Sequence, residues 1–329
     1  MNGSAPMPAS AAPLPFGIAI LGPTGSGKSA LAMRLARELP VEIISVDSAQ
    51  VYRDMDVGTA KPTPAERREV PHHLIDIIDP EGVYSAGQFR TDALRLIGEI
   101  SARGRIPLLV GGTMLYFRAL FRGIADLPGA DARLRERIDA RAREEGWPAM
   151  HAELAARDPA GAARIHPHDA QRIQRALELS TQTGRPLGAL QLQEDSYNRF
   201  GSWRICVLEP GDRRRLHEVL EQRLAAMFDA GLVEEVRRLL ARETLSARSP
   251  ALRLVGYRQL VGHIRDKEPL PTASARILAA TRQLAKRQLT WLRGDYLLPD
   301  GATVLHSDCF DQTMLERTLR VLIEAGKAP

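Results

Sequence analysis

One octapeptide near the amino terminus constrains the fold of this chain more than any other feature. The segment GPTGSGKS, residues 22–29, follows the apolar run FGIAIL and precedes a helix-forming stretch. It matches the pattern G-x-x-x-x-G-K-[ST], in which glycines allow backbone N–H groups to surround a phosphate at the start of a helix. At ordinary residue frequencies, chance produces this pattern in roughly one chain in a hundred of this length. We therefore predict a phosphate-binding loop; the competing interpretation is a glycine-rich turn without a ligand.

The segments that follow alternate between strand-like and helix-like patterns. Apolar runs typical of strands occupy residues 42–46, 73–78 and 106–110, and a helix is predicted over residues 86–103. A further strand is predicted over residues 204–209. After it, Asp212 can cap a helix whose apolar residues recur at helical spacing, namely Leu216, Val219, Leu220, Leu224 and Met227. This alternation predicts an α/β fold with a P-loop NTPase-like parallel sheet and helices on both faces.

The middle of the chain lacks strand signals. One helix is predicted from the N-cap Asp131 to Gly146, and a second ends at Gly184. We therefore expect an all-helical insertion domain over residues 125–199, which divides the catalytic core into residues 16–124 and 200–329. Residues 1–15 contain four prolines and no basic residue before an apolar stretch, so we predict a disordered leader and no signal peptide.

Composition excludes several classes of protein. Two cysteines, Cys206 and Cys309, cannot form a disulfide framework or a four-ligand zinc site. No apolar run approaches the roughly 20 residues of a membrane-spanning helix. We therefore expect a cytoplasmic protein without membrane attachment, whose thiols pack as small core side chains. The net charge of +5 is mildly basic and neither requires nor excludes a nucleic-acid partner.

Two polar residues follow predicted strands. Asp47 ends the second strand, and Thr113 follows a glycine pair after the strand at residues 106–110. Open α/β sheets bind ligands outside the carboxyl ends of their strands, so each residue is either a site residue or a turn residue. A nucleoside triphosphatase would also need an acid for Mg²⁺, for which Asp47, Asp76 and Asp79 are candidates. Because no adenine-binding signature is present, the sequence supports a phosphate site more firmly than an ATP site.

Other patterns have an ordinary structural interpretation. The pairs His72/His73 and His166/His168 lack partners at metal-ligand spacing, so structural or surface roles are expected. Trp291, within KRQLTWLR (286–293), could stack on a nucleotide or pack in the core.

Eight segments, taken together, resemble the tRNA dimethylallyltransferases, also called isopentenyl-tRNA transferases, in their bacterial form. They are GPTGSGKS (22–29), SVDSAQVYRDMDVGTAKP (45–62), PHHLIDIIDP (71–80), YSAGQF (84–89), GGTMLYFRAL (111–120), DAQRIQRALE (169–178), VGYRQ (255–259) and KRQLTWLR (286–293). The one departure is Asp54, where the second segment commonly has glycine; aspartate tolerates turn geometry. With two cysteines, the zinc-finger extension of eukaryotic relatives is not expected.

The resemblance implies the transfer of a dimethylallyl group from its diphosphate to the exocyclic amine of the adenosine on the 3′ side of a tRNA anticodon. Asp47 and Thr113 would be catalytic, and Ser29 would bind the cofactor Mg²⁺. The diphosphate would lie in the loop formed by Gly22, Pro23, Thr24, Gly25, Ser26, Gly27, Lys28 and Ser29.

The resemblance also implies a set of contacts to the anticodon stem-loop, although a solvated charged face is the default interpretation of the second insertion helix. The expected tRNA-binding residues are Asp47, Ser48, Ala49, Gln50, Thr113, Arg135, Gln171, Arg172, Ile173, Gln174, Arg175, Arg253, Leu254, Val255, Gly256, Tyr257, Arg258, Lys286, Arg287, Gln288, Leu289, Thr290, Trp291, Leu292 and Arg293. We expect a monomer. Two rival functions remain open at this point, a small-molecule kinase and an ATPase stimulated by nucleic acid.

Overall fold

The computed structural model of the protein describes residues 14–124, 127–186, 200–246, 249–294 and 297–327. Within these ranges the strands are β1 (Ile18–Leu21), β2 (Val41–Val46), β3 (His72–His73), β4 (Ile106–Gly111), β5 (Arg204–Glu209) and β6 (Thr303–Asp308). The helices are α1 (Lys28–Glu38), α2 (Pro64–Glu69), α3 (Ala86–Ala102), α4 (Met114–Arg122), α5 (Ala132–Glu145), α6 (Trp147–Arg157), α7 (Pro159–Ala162), α8 (Ala170–Thr183), α9 (Arg213–Asp229), α10 (Leu232–Leu240), α11 (Tyr257–Arg265), α12 (Leu270–Leu292) and α13 (Gln312–Lys327).

The strands form one parallel sheet in the order β3-β2-β4-β1-β5-β6. β1 lies between β4 and β5, with Ile18 paired to both Leu108 and Arg204. Because the strands are parallel, the carboxyl ends of β1, β2 and β4 lie side by side at one edge of the sheet. The P-loop (residues 22–29), Asp47 and Thr113 follow those three strand ends, so the topology brings them together.

Side-chain alternation along the strands separates two layers of core. Ile18 and Ile20 of β1 pack on one face with apolar residues of α1 and α13. Ala19 and Leu21 point to the other face, where α3, α4 and α12 pack. A strand whose residues are buried on both sides is typical of parallel sheets covered by helices on both faces. The predicted P-loop NTPase-like fold is confirmed.

A second helical layer packs on the segment after β2. Tyr52 and Met55 are buried together with residues of α10, α11 and α12, among them Val236, Tyr257 and Ile277. This packing fixes the backbone of residues 51–57, which leads into the wall of the cavities described below.

Helix ends predicted from sequence are confirmed where a capping residue is present. The side chains of Asp131 and Asp212 accept hydrogen bonds from Leu134 N–H and Arg214 N–H at the starts of α5 and α9. Gly184, with φ of 65°, follows α8. These features depend on local hydrogen bonds, which explains why sequence alone locates them.

The strand predicted over residues 73–78 is wrong for most of its length. β3 contains only His72 and His73, and the chain then turns through Leu74 (φ 62°) and Asp76 (φ 57°), two left-handed conformations. The carboxylate of Asp76 forms ion pairs with Lys61 and Arg67. Apolar composition suggested a strand, but these ion pairs favour a turn at this position.

The chain divides into two compact units, residues 123–196 and the remainder (1–122 and 197–329). The smaller unit has its own apolar core, built from Leu134, Ile138, Met150, Leu154, Ile173 and Leu177 among others. The predicted leader falls almost entirely outside the described residues, as does the carboxyl-terminal end of the predicted insertion.

Both cysteine side chains pack in the core, as the composition predicts. Cys206 and Cys309 are both buried and unpaired with each other, and burial raises the pKa of their thiols to about 12 and about 11. Among the helices that the structure describes, none combines the length and apolar character needed to cross a membrane. The strand β6, which extends the sheet beyond β5, and the helix α13 were not predicted.

Candidate active site at the carboxyl ends of the strands

The P-loop has the backbone conformation that an anion site requires. Gly25 and Gly27 adopt left-handed conformations, with φ of 82° and 76°, and Gly27 is the N-cap of α1. A Cβ atom on Gly25 would also lie 2.9 Å from Leu220 Cδ2, so a larger residue at this position would require Leu220 to move. The Oγ atom of Ser26 is buried and has no hydrogen-bond partner within the described part of the chain. The loop therefore places polar groups and a helix amino terminus around one point.

Lys28 provides a cation at this point. Its Nζ donates a hydrogen bond to Pro23 O over 2.6 Å. Burial and, after it, the nearby Arg223 lower the pKa of Lys28 to about 8, although the Asp47 carboxylate acts in the opposite direction. A lysine whose charge is disfavoured by burial and by a second cation gains most from an anionic ligand.

Arg223, from α9, is that second cation, and sequence analysis missed it. Its side chain is half-buried, and no hydrogen bond or ion pair to it is found among the described residues. Burial lowers the pKa of Arg223, while Asp47 opposes this effect. A cation held away from water without an ionic partner is unfavourable unless an anion binds beside it. One signal was available: Arg223 is a charged residue within the apolar stripe of α9.

Asp47 and Thr113 are held by the ends of the neighbouring strands β2 and β4. Asp47 Oδ1 accepts a hydrogen bond from Ala49 N–H over 2.8 Å, and Thr113 Oγ1 accepts one from Ser48 N–H over 3.0 Å. Thr113 N–H donates to Val46 O, which ties the two strand ends together. Within the described residues, the other carboxylate oxygen of Asp47 has no hydrogen-bond partner. One oxygen of Asp47 thus stabilises the turn and the other is available to a ligand.

Two cavities meet at Asp47. The first, of about 240 Å³, is the P-loop cavity, and Lys28, Ser29, Asp47 and Arg223 are among its lining residues. The second, of about 440 Å³, is the Trp291 cavity, which Asp47, Thr113 and Trp291 also line. The residues common to both are Thr24, Asp47, Thr59, Gly112, Arg223 and Gln288. The P-loop cavity, which contains cations, and the wider Trp291 cavity therefore share a boundary. Asp47 provides the one carboxylate among the shared lining residues.

Glu235, which the sequence did not single out, fixes part of that boundary. The Glu235 carboxylate is 1% exposed and accepts hydrogen bonds from the backbone N–H groups of Asp56, Val57 and Gly58 at 2.7, 2.7 and 3.0 Å. It also accepts one from the Tyr257 hydroxyl at 2.7 Å. The pKa of Tyr257 is raised mainly by burial and secondly by the negative charge of Glu235. Glu235 thus anchors the segment that leads to Thr59.

Most of the residues predicted at the tRNA interface in the larger unit line the Trp291 cavity. They are Asp47, Ser48, Ala49, Thr113, Arg253, Leu254, Val255, Tyr257, Arg287, Gln288 and Trp291. Gln50 lines the P-loop cavity. Arg258, Lys286, Thr290 and Arg293 are exposed. Gly256 is buried, and Leu289 and Leu292 have buried side chains that pack in the core.

The predicted tRNA-binding residues of the smaller unit lie on α5 and α8. Arg135 and Arg175 both pair with the fully buried carboxylate of Glu178, with the shortest contacts at 2.9 and 2.6 Å. Gln174 Nε2 donates to Asp139 Oδ1 over 2.6 Å, and Ile173 is fully buried. Gln171 and Arg172 are exposed. Of this set, only the last two residues present side chains that are mostly solvent-accessible.

Of the three candidate Mg²⁺ ligands Asp47, Asp76 and Asp79, the last two are not among the lining residues of the P-loop cavity. Asp76 pairs with Lys61 and Arg67, and Asp79 pairs with Arg53, whereas Asp47 lines the P-loop cavity. No cluster of three or more His, Cys, Asp or Glu residues suited to a metal is present in the described ranges. Mg²⁺ needs few protein ligands when phosphate oxygens and waters complete its shell, so the exposed Ser29 hydroxyl, which lines the same cavity as Asp47, fits this ion.

His72, His73 and Asp54 make structural contacts. His73 Nε2 lies 2.7 Å from Glu42 Oε2, and His72 Nδ1 lies 2.7 Å from Val70 O. Asp54 adopts φ of 62°, the conformation that glycine favours, and its carboxylate pairs with Arg242. Aspartate therefore occupies the turn without changing its geometry.

Comparisons with known proteins identify the family to which the chain is similar. The sequence model of the IPP transferase family matches residues 50–295. The tRNA dimethylallyltransferase of Aromatoleum aromaticum is 57% identical over 279 residues, which cover 85% of this chain and 87% of the relative. That of Ralstonia nicotianae is 50% identical over 321 residues, covering 96% and 98%.

Solved structures give the same result. The tRNA isopentenylpyrophosphate transferase of Bacillus halodurans superposes with a TM-score of 0.63 at 34% identity, covering 94% of this chain and 96% of that one. A eukaryotic dimethylallyltransferase described as acting on tRNA superposes with a TM-score of 0.72 at 25% identity, covering 93% and 77%. The P-loop, the shared cavity boundary at Asp47 and the extent of these matches together identify the chain as a member of the tRNA dimethylallyltransferase family.

Proposed function

We propose that this protein transfers a dimethylallyl group from dimethylallyl diphosphate to the exocyclic amine of the adenosine 3′-adjacent to the anticodon of tRNA. The observation that carries the proposal is the boundary shared by the two cavities. The P-loop cavity offers cations and a helix amino terminus to an anion, and the Trp291 cavity offers space and an aromatic surface to a base. The two substrates would approach Asp47 from opposite sides.

The donor diphosphate would bind in the P-loop cavity. Lys28, Arg223 and the loop N–H groups would stabilise the negative charge that develops on the diphosphate as its bond to carbon breaks. Ser29, with Asp47 nearby, would hold Mg²⁺, which supplies further charge neutralisation of the leaving group when bound. No adenine-binding surface is needed for such a donor, which fits the absence of an adenine signature in the sequence.

The acceptor amine would bind beside Asp47 and Thr113. An adenine amine is a weak nucleophile because its lone pair is delocalised into the ring. As its nitrogen forms the bond to the allylic carbon, the carbon–oxygen bond breaks and the electron pair leaves with the diphosphate. The free Asp47 oxygen would accept the proton that the amine loses, and the Thr113 hydroxyl would orient the reacting groups.

The acceptor adenosine must leave the stack of the anticodon loop to reach this position. The rim of the Trp291 cavity contains Arg253 and Arg287, with Lys286 exposed next to it. Cations of this kind neutralise phosphates, and Trp291 offers a face on which a base can stack. The exposed Arg172 and Gln171 of the smaller unit are proposed as additional tRNA contacts.

We also propose that the protein works as a monomer in the cytoplasm. A small-molecule kinase or an ATPase stimulated by nucleic acid would also use a P-loop. Either of these would require tight ATP binding, which dimethylallyl transfer does not.

The decisive experiment combines purified protein, dimethylallyl diphosphate, Mg²⁺ and an anticodon stem-loop, followed by nucleoside analysis for N6-(dimethylallyl)adenosine. Thermal shifts with dimethylallyl diphosphate and with ATP, each with Mg²⁺, serve as the comparison. We expect modified adenosine and stabilisation by the diphosphate donor. Stabilisation by ATP alone, with no modified nucleoside, would favour a kinase or an ATPase.

A further inference from the structure

The side chain of Gln288 connects two loops that lie far apart in the sequence. Its Oε1 accepts a hydrogen bond from Thr24 N–H over 2.9 Å, across 264 residues. Its Nε2 donates one to Gly112 O over 2.8 Å, across 176 residues. Thr24 belongs to the P-loop, and Gly112 directly precedes Thr113. One amide therefore joins the loop after β1 to the loop after β4.

An amide side chain carries both the acceptor and the donor that these two bonds require. A backbone N–H can only donate and a carbonyl oxygen can only accept, so the two partners also fix the orientation of the Gln288 amide. A carboxylate would keep the bond to Thr24 and lose the one to Gly112, and a lysine would do the reverse. The approach is close: a Cβ atom on Gly112 would lie 2.6 Å from Gln288 Nε2. Glycine at this position allows the amide to reach its carbonyl.

The location of Gln288 separates its role from that of its neighbours on α12. Gln288 lines both the P-loop cavity and the Trp291 cavity, whereas Arg287 and Trp291 line only the second. Both the oxygen and the nitrogen of the Gln288 amide form hydrogen bonds within the protein. The side chain therefore has a structural role that does not depend on a contact with tRNA.

We propose that Gln288 is a positioning residue that sets the separation between the P-loop and the strand end that carries Thr113. This inference rests on the proposed function, since the two loops would hold the donor diphosphate and the acceptor amine. Transfer needs the reacting atoms within about 3–3.5 Å and aligned, so a shift of about 1 Å between the two loops is costly, on the order of 10²-fold in rate.

The test uses Gln288→Met, which keeps the length of the side chain and removes both hydrogen bonds, and Gln288→Glu, which keeps the acceptor and adds a negative charge. Gln283→Met, at an exposed glutamine of the same helix, is the matched control. For each protein, single-turnover transfer from dimethylallyl diphosphate to an anticodon stem-loop is measured at saturating substrates, together with donor KM, stem-loop affinity, reaction amplitude and thermal stability.

We expect Gln288→Met to lower the saturated single-turnover rate about 10- to 100-fold, with full amplitude, an unchanged affinity for the stem-loop and an unchanged donor KM within about threefold. Gln288→Glu should show the same loss of rate and also a raised donor KM, because its charge repels the diphosphate. Gln283→Met should behave as the unmodified protein does.

A wild-type rate in Gln288→Met would overturn the inference. So would a loss that appears only as reduced amplitude and lower melting temperature, because that pattern indicates a purely structural role. If the unmodified protein itself transferred no dimethylallyl group, the proposed function would fail first, and the variants would not be the cause.

Discussion

Replacing Arg223 by glutamine is expected to weaken the binding of dimethylallyl diphosphate and to leave the affinity for tRNA nearly unchanged. Arg223 is half-buried, lines the P-loop cavity and has no hydrogen-bond or ion-pair partner among the residues that the structure describes. Its guanidinium is thus available to the diphosphate. Most of the affinity for tRNA should come from dispersed contacts to phosphates and bases, which this substitution leaves in place.

The size of the effect follows from the kind of interaction lost. A hydrogen bond to a charged group contributes about 1.5–3 kcal/mol, and 1.4 kcal/mol corresponds to tenfold in affinity, so we expect a loss of about 10- to 150-fold. A second effect concerns Lys28, whose pKa of about 8 is lowered first by burial and then by Arg223. Without Arg223 this pKa should rise, and Lys28 should keep its charge to a higher pH.

Calorimetric titration of the donor in the presence of Mg²⁺, at several pH values between 7 and 10, measures both effects. Arg214→Gln is the matched control, since Arg214 is an exposed arginine of the same helix α9. The reasoning is refuted if Arg223→Gln binds the donor as tightly as the unmodified protein does and if the donor affinity of both proteins falls at the same pH.

Four further predictions concern the same reaction and the smaller unit. Asp47→Asn should lower single-turnover transfer about 10²- to 10⁴-fold with tRNA binding retained; a defect that added Mg²⁺ corrects would make Asp47 a metal ligand instead. Donor affinity should fall as the pH rises through the pKa of Lys28, about 8, because the ammonium then loses its proton; Lys28→Arg should remove this fall in the same titration, and an unchanged profile would show that another group titrates. Arg172→Ala should reduce the slope of log Kobs for tRNA against log salt by about one without destabilising the protein, since Arg172 is exposed. Arg175→Ala should lower the melting temperature as well, because within the described ranges it leaves the buried Glu178 carboxylate with Arg135 as its one remaining ionic partner; equal melting temperatures for the two variants would contradict this.

Local hydrogen bonding and strand order explain which parts of the site could be foreseen. The P-loop needs left-handed glycines next to a helix start, and the pattern of residues 22–29 specifies both. Asp47 and Thr113 could be placed near the loop because parallel strands end at one edge of a sheet. The strand predicted over residues 73–78 failed at Leu74, since apolar composition does not reveal a turn that ion pairs at Asp76 stabilise.

The sequence by itself determined the fold class, the conformation of the loop at residues 22–29, the capped helix starts and the family, because each depends on residues that are close together along the chain or on motifs read in order. Only the tertiary structure decided that Arg223 supplies a second cation beside Lys28, that Glu235 holds the backbone of residues 56–58, and that the Gln288 amide joins Thr24 to Gly112. These contacts join residues that are far apart in sequence and come from helices packed onto the strand ends. Their partners are set by the packing of the folded chain, which no local pattern of residues encodes.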